Sequence, residues 1–79
     1  MEQTLRQIIA KIAETKPDFG ADADLRDDLD VDSHRAVEIV FEIERTFNVK
    51  IPDDRFREMQ TFDGTLQLVR SLKGVAAIG

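Results

Sequence analysis

The sequence contains no cysteine. Without a thiol the chain has no nucleophilic sulfur and no cysteine-built zinc site. Nor can a disulfide staple its small core. A single histidine, His34, excludes a His-rich metal centre and any pair of histidines within the chain. There is no glycine-rich phosphate loop; the four glycines are at positions 20, 64, 74 and 79. No apolar run approaches the ~20 residues that a membrane-spanning helix requires. Met1-Glu2-Gln3 opens with neither a basic stretch nor an apolar block, so no secretory signal is expected. The lack of cysteine also fits a cytoplasmic setting. Basic residues are in deficit, 11 Lys+Arg against 16 Asp+Glu for a net charge of −5. That balance argues against the basic face by which proteins displace counterions from nucleic acid. It argues equally against adhesion to an anionic membrane.

What remains is a short, acidic, foldable chain. Seventy-nine residues suffice for one domain, spanning 1–79, and for no second one. With 42% hydrophobic and 34% charged residues, the composition is that of a folded protein, expected to be a monomer. The charge is concentrated. From Asp18 to Glu44 there are ten acids and only two bases, a net of −8, while the remainder of the chain is at +3. Such a run is either a solvated loop and helix face or a docking surface for positively charged partners.

Leu5, Ile8, Ile9 and Ile12 recur at i, i+3, i+4 and i+7, one apolar helix stripe. A first helix is predicted from about Glu2 to Thr15, stopped ahead of Pro17. Residues 16–32 lack a period and hold seven aspartates, so they read as a long loop anchored by Phe19, Leu25, Leu29 and Val31. A second helix starts at Asp32 or Ser33, either of which is a good N-cap. It presents Ala36, Val37, Ile39, Val40, Phe41, Ile43 and Phe47 on a broad apolar face and ends near Asn48. Pro52 prevents Val49-Lys50-Ile51 from forming a useful strand and, with Asp53 and Asp54, begins a short third helix reaching about Met59. Thr61 or Asp63 caps a last helix containing Leu66, Leu68, Val69 and Leu72, and Gly74 ends it. Val75–Gly79 is expected to be a flexible tail. The predicted fold is an all-α bundle of three main helices and one short helix, with a long loop between the first two.

Little catalytic chemistry fits these residues. Ser33 and His34 are adjacent, and neighbours on a helix do not face each other, so His34 is a poor base for Ser33. Asp22-Ala23-Asp24 begins like a calcium loop, but Asp27 and Ser33 stand where that loop needs glycine and glutamate. No metal site is assigned; a weak divalent-ion site among the aspartates is the most that the pattern allows. The residues describe a protein that presents something rather than one that catalyses.

Asp27-Asp28-Leu29-Asp30-Val31-Asp32-Ser33, followed by an acidic amphipathic helix, resembles the acyl carrier proteins. Val37–Glu44 looks like that family's second helix, Phe47–Asp53 like its following turn and Thr61-Phe62 like the lead-in to its last helix. The resemblance covers roughly Leu5 to Leu72. It implies that Ser33 carries a covalent 4′-phosphopantetheine arm, installed by a phosphopantetheinyl transferase from coenzyme A with magnesium. Acyl groups then ride on the arm as thioesters in fatty-acid, specialised lipid or polyketide-type synthesis. Asp32 is implied at the transferase interface, where it can assist a bound magnesium. Partner enzymes with basic docking surfaces are implied to meet Glu38 and Glu44, with Val37 and Phe41 beside the arm. Taken singly, these residues have plainer readings: Ser33 a helix cap, Val37 and Phe41 core, the glutamates solvated surface.

Two positions depart from the family pattern. Asp30 stands where glycine is usual, and His34 where a large apolar residue normally follows the serine and partners press. Arg35 and Arg45 put positive charge on a helix that is mostly acidic in the family. These departures suggest a specialised carrier. The rivals are a peptidyl or D-alanyl carrier, a helical interaction module whose Ser33 is never modified, and a calcium sensor.

Overall fold

The computed structural model describes residues 1–73, so the expected tail, Val75–Gly79, lies outside the described residues. Three α-helices and one 3₁₀ helix follow in order: α1 (Glu2–Ala13), α2 (Ser33–Phe47), the 3₁₀ helix (Asp53–Gln60) and α3 (Phe62–Lys73). This is the all-α bundle expected from the periodicity.

The α1 stripe points inward as predicted. Leu5, Ile8 and Ile9 are buried and Ile12 is half-buried. The helix stops two residues before the expected end, and proline is not the cause. Glu14 turns left-handed (φ 60°, ψ 48°), and its amide bonds back to the Ala10 carbonyl. The Thr15 amide reaches the same carbonyl at 2.9 Å. This hydrogen-bonded stop occupies the helix's orphan carbonyls. Asn48 ends α2 in the same way, left-handed, with its amide on Glu44 O.

The α-helices share one core. Leu5 and Ile9 from α1, Ile39 and Ile43 from α2, and Phe62, Leu68 and Val69 from α3 are fully buried. Phe62 is the largest of them, a residue that the sequence pattern marks only as a lead-in to the last helix. Its surroundings explain its importance. The Phe19 ring meets it edge-on at 5.4 Å. The Arg6 guanidinium lies over both rings, 4.6 Å from the Phe62 centroid and 5.0 Å from that of Phe19. Arg6 also donates to the Pro17 carbonyl at 2.9 Å and to that of Phe19. The long loop is thereby pinned to α1 at its first half.

Its second half is stitched to the start of α3. Leu25 N donates to Gln60 O, Phe62 N to Ala23 O and Asp63 N to Ala21 O, at 2.8–3.0 Å. Where no strand pairing was expected, Asp24 and Thr61 form a single antiparallel bridge. Of the four expected anchors, Leu25 and Val31 are buried, while Phe19 and Leu29 are half-buried.

The short third element is a 3₁₀ helix with a kink at Met59, and none of its residues is buried. It packs on α3 and not on α2. Arg55 forks onto both Glu58 carboxylate oxygens at 3.0 Å and reaches Ser71 Oγ at 3.4 Å. The hydrogen bonding from Arg55 holds the Glu58 carboxyl below its ordinary range. Thr61, not Asp63, caps α3, its hydroxyl accepting from Gly64 N at 3.0 Å. Gly64 sits where the two helices close on each other, and a Cβ there would run into the backbone carbonyl oxygen of Glu58. Glycine to alanine within a helix ordinarily gains up to ~1 kcal/mol. Here Gly64→Ala is expected to lose ~2 kcal/mol, because the clash is with backbone rather than with a movable side-chain tip. Urea denaturation checks this; an unchanged or raised midpoint would contradict the close approach.

Candidate functional site

The loop ahead of α2 is built by its own aspartates. The Asp24 carboxylate accepts from the Arg26 and Asp27 amides at 2.9 and 2.8 Å. Asp28 accepts from the Asp24 amide at 2.7 Å. These bonds wind one helix-like turn, which closes when Asp30 N meets Arg26 O at 3.1 Å and Val31 N meets Leu25 O at 2.8 Å. Asp30 takes the left-handed conformation, φ 59°. A glycine would adopt it freely, and aspartate is among the few other residues that tolerate it. With these carboxylates committed to backbone amides, no group of three or more metal-ligating side chains converges among the described residues.

Asp32 then caps α2. Its Oδ1 accepts from Arg35 N at 2.9 Å, and its carbonyl accepts from Ala36 N at 2.9 Å. The sequence left Asp32 and Ser33 as equal candidates for this duty, and the choice has a consequence. Ser33, the first residue of α2, is exposed, and its hydroxyl makes no hydrogen bond among the described residues. Its amide and that of His34 are likewise without partners there, two of the orphan donors of a helix N-terminus. Among the described residues no base is hydrogen-bonded to the Ser33 hydroxyl.

Beside Ser33 lies an open groove of about 800 Å³, between α2, the aspartate turn and the 3₁₀ helix. Val37, Phe41, Phe56 and Met59 line it, with Leu25 and Val31 from the turn. The plainer reading of Val37 and Phe41 as core does not hold. They are 50% and 65% exposed, one helical turn apart, and continue the line of Ser33 along α2. Ile39, Val40 and Ile43 of the same helix are buried, so one part of its broad apolar arc meets the core and another borders the groove. Phe56, 42% exposed on the opposite wall, went unremarked in the sequence. Its only signal there is a spacing of three from Met59, which reads as an ordinary helix stripe.

The charged candidates divide into free and committed groups. His34 and Glu38 are exposed and unpaired among the described residues. Arg35 reaches across to Glu14, the residue that ends α1, at 3.6 Å. Arg45 pairs with both carboxylate oxygens of Glu42 at 2.8 Å, so its charge is neutralised on the same helix. Glu44 is half-buried and accepts from the Ile51 amide at 2.9 Å, bracing the turn after α2.

This geometry, a free serine hydroxyl on a helix N-terminus above an apolar groove, suits a covalently attached anionic group. Comparison with known proteins agrees. The family described as the phosphopantetheine attachment site matches this chain over residues 3–69. Polyketide-8 synthase acyl carrier protein 2 of Streptomyces avermitilis is 30% identical over 74 residues, covering 92% of this chain and 85% of that protein. An acyl carrier protein of Acidothermus cellulolyticus is 40% identical over 58 residues, covering 72% of this chain and 69% of its own. One from Lactobacillus johnsonii is 38% identical over 50 residues, covering 63% and 62% respectively. The chain belongs to the acyl carrier proteins, the family built around a phosphopantetheine attachment site. It is therefore a carrier and not an enzyme, and its cofactor is a covalent 4′-phosphopantetheine. No helix among the described residues is long and apolar enough to cross a membrane.

Proposed function

We propose that Ser33 is the residue that bears the phosphopantetheine arm and that the groove beside it shelters part of the arm and its cargo. The observation that carries this reading is the division of labour at the head of α2. Asp32 satisfies the helix end, which leaves the Ser33 hydroxyl free, exposed and without a base of its own. When attached, the arm supplies the thiol that this chain lacks. The Ser33 oxygen would form its bond to the pantetheine-side phosphorus of coenzyme A as the diphosphate linkage breaks and adenosine 3′,5′-bisphosphate leaves, and a separate phosphopantetheinyl transferase would remove the hydroxyl proton. The unpaired Ser33 and His34 amides face the resulting negative charge at the positive end of the helix. Incubation with coenzyme A, magnesium and a broad-specificity transferase should add the mass of one phosphopantetheine. A folded protein that gains nothing with several transferases would contradict the assignment and favour an unmodified interaction module.

Partner enzymes dock, on this reading, along the outer face of α2. His34, Val37, Glu38 and Phe41 are open to them, and Phe41 offers the large apolar anchor typical of an interface hot spot. Arg35 and Glu44 act on docking through the contacts that hold α2, to Glu14 and to the Ile51 amide. Asp32, exposed beside Ser33, faces the transferase and can assist its magnesium. The carrier acts as a monomer, and its acyl cargo distinguishes it from a peptidyl or D-alanyl carrier, which amino-acid-adenylating enzymes would load.

The pathway we infer is a dedicated one, polyketide-type or an unusual lipid, rather than general fatty-acid synthesis. His34 and Asp30 support this by altering the surface on which partners press, and so does the name of the Streptomyces relative. Standard fatty-acid synthase enzymes should elongate acyl groups on this protein about tenfold less efficiently in kcat/KM than on their own carrier. That is the effect of a lost contact worth ~1.4 kcal/mol. Ordinary rates would contradict specialisation while leaving the carrier assignment intact.

A further inference from the structure

The charged residues lining the Ser33 groove are acidic with one exception. Asp24, Asp27, Asp32 and Asp53 line it, and Arg26 is the single cation among the lining residues. Arg26 is exposed, and its guanidinium has no ion pair or hydrogen bond among the described residues. Its backbone, by contrast, is tightly placed. The Arg26 amide donates to the Asp24 carboxylate at 2.9 Å, and its carbonyl accepts from Asp30 N at 3.1 Å. The second bond spans the left-handed turn that leads into Ser33. The fold thus fixes the root of a long cationic side chain beside the head of α2 and gives the charge nothing to bind.

We propose that Arg26 pairs with the phosphodiester on Ser33 and is the positioning residue for the root of the arm; this rests on Ser33 being the attached residue. A phosphodiester is anionic at neutral pH, so modification adds a negative charge to a rim that already holds four carboxylates. The helix N-terminus compensates part of that charge, but Asp32 already draws on it. The other bases of the α2 region are committed elsewhere, Arg35 to Glu14 and Arg45 to Glu42. His34 is not among the groove-lining residues. A guanidinium fork matches the geometry of phosphate oxygens and binds them in pairs, so Arg26 is suited in shape as well as in sign.

The test compares apo and holo forms of the wild type, Arg26→Gln, Arg26→Lys and Arg57→Gln, an exposed base outside the groove. Two readouts are independent of any acyl-transfer activity: the holo-minus-apo difference in melting temperature and the phosphorus NMR shift of the diester. Pairing predicts that Arg26→Gln lowers the holo-minus-apo difference by about 1–4 °C, the size expected of an exposed ion pair in a domain this small. It also predicts a moved phosphorus resonance. Arg26→Lys should fall between the two, and Arg57→Gln should match the wild type. An unchanged melting difference and an unchanged resonance in Arg26→Gln would overturn the pairing while leaving attachment standing, provided that the mass gain is normal. Absence of the mass gain would instead overturn the attachment to Ser33 and the pairing with it.

Discussion

Ser33→Ala is expected to fold as the parent does and to take up no phosphopantetheine. A serine at a helix start is usually valued as a cap, and removing a cap costs ~1 kcal/mol. Here Asp32 performs that task, its carboxylate on the Arg35 amide and its carbonyl on the Ala36 amide. The Ser33 hydroxyl contributes no hydrogen bond to the fold, and alanine is a good first helical residue, so stability should change by no more than about 0.5 kcal/mol. Asp32→Ala is the informative contrast, because it should lose ~1 kcal/mol while leaving the hydroxyl in place. Paired measurements of melting temperature and intact mass separate the two residues. A Ser33→Ala protein that melts normally and still gains the full mass would place the arm elsewhere.

Arg6→Ala should be the most destabilising substitution of an incompletely buried residue in this chain. The Arg6 guanidinium covers Phe19 and Phe62 and donates to two loop carbonyls. Hydrogen bonds from charged donors contribute about 1.5–3 kcal/mol each, and a partly desolvated cation over a ring about 1–2 kcal/mol. These terms overlap, so the expected loss is about 3 kcal/mol rather than their sum. A chain of this length has a total stability of only about 4–12 kcal/mol. The melting temperature should therefore fall by more than about 10 °C. Arg6→Lys should recover less than half of the loss, since an ammonium lacks the planar face that covers both rings while one nitrogen donates to the carbonyls. A loss below about 1 kcal/mol would mean that the loop is held by its stitching to α3 alone. The effect reaches function because this loop carries the aspartate turn that delivers Ser33 to the head of α2.

The features legible in the sequence are those written in local periodicity or local chemistry. The stripe of Leu5, Ile8 and Ile9 predicted α1 and its buried face, and Asn48 marked the end of α2. The Asp-rich approach to Ser33 announced a turn with an acidic character. The illegible features depend on residues far apart in the chain. Nothing near Arg6 indicates that two phenylalanines, 13 and 56 positions further on, will lie beneath it. The early stop of α1 at Glu14 was hidden by Pro17, which offered a plausible terminator slightly too late. Val37 and Phe41 fell on the apolar arc of α2, and periodicity alone cannot tell an arc that meets a neighbour from one that borders a groove. The groove exists because the 3₁₀ helix packs on α3 and leaves α2 uncovered on that side. The candidate serine was legible, but the reason its hydroxyl is free was not. That reason is the choice of Asp32 over Ser33 as the cap, a matter of backbone geometry.

Peptide mapping of the modified protein decides whether Ser33, and no other hydroxyl, bears the arm. Trypsin cleaves after Arg26 and after Arg35, releasing Asp27–Arg35, in which Ser33 is the sole hydroxyl-bearing residue. The added mass should be found wholly on that peptide after treatment with coenzyme A and transferase. Its appearance on a peptide holding Thr15, Thr61 or Ser71, with Asp27–Arg35 unmodified, would contradict the account.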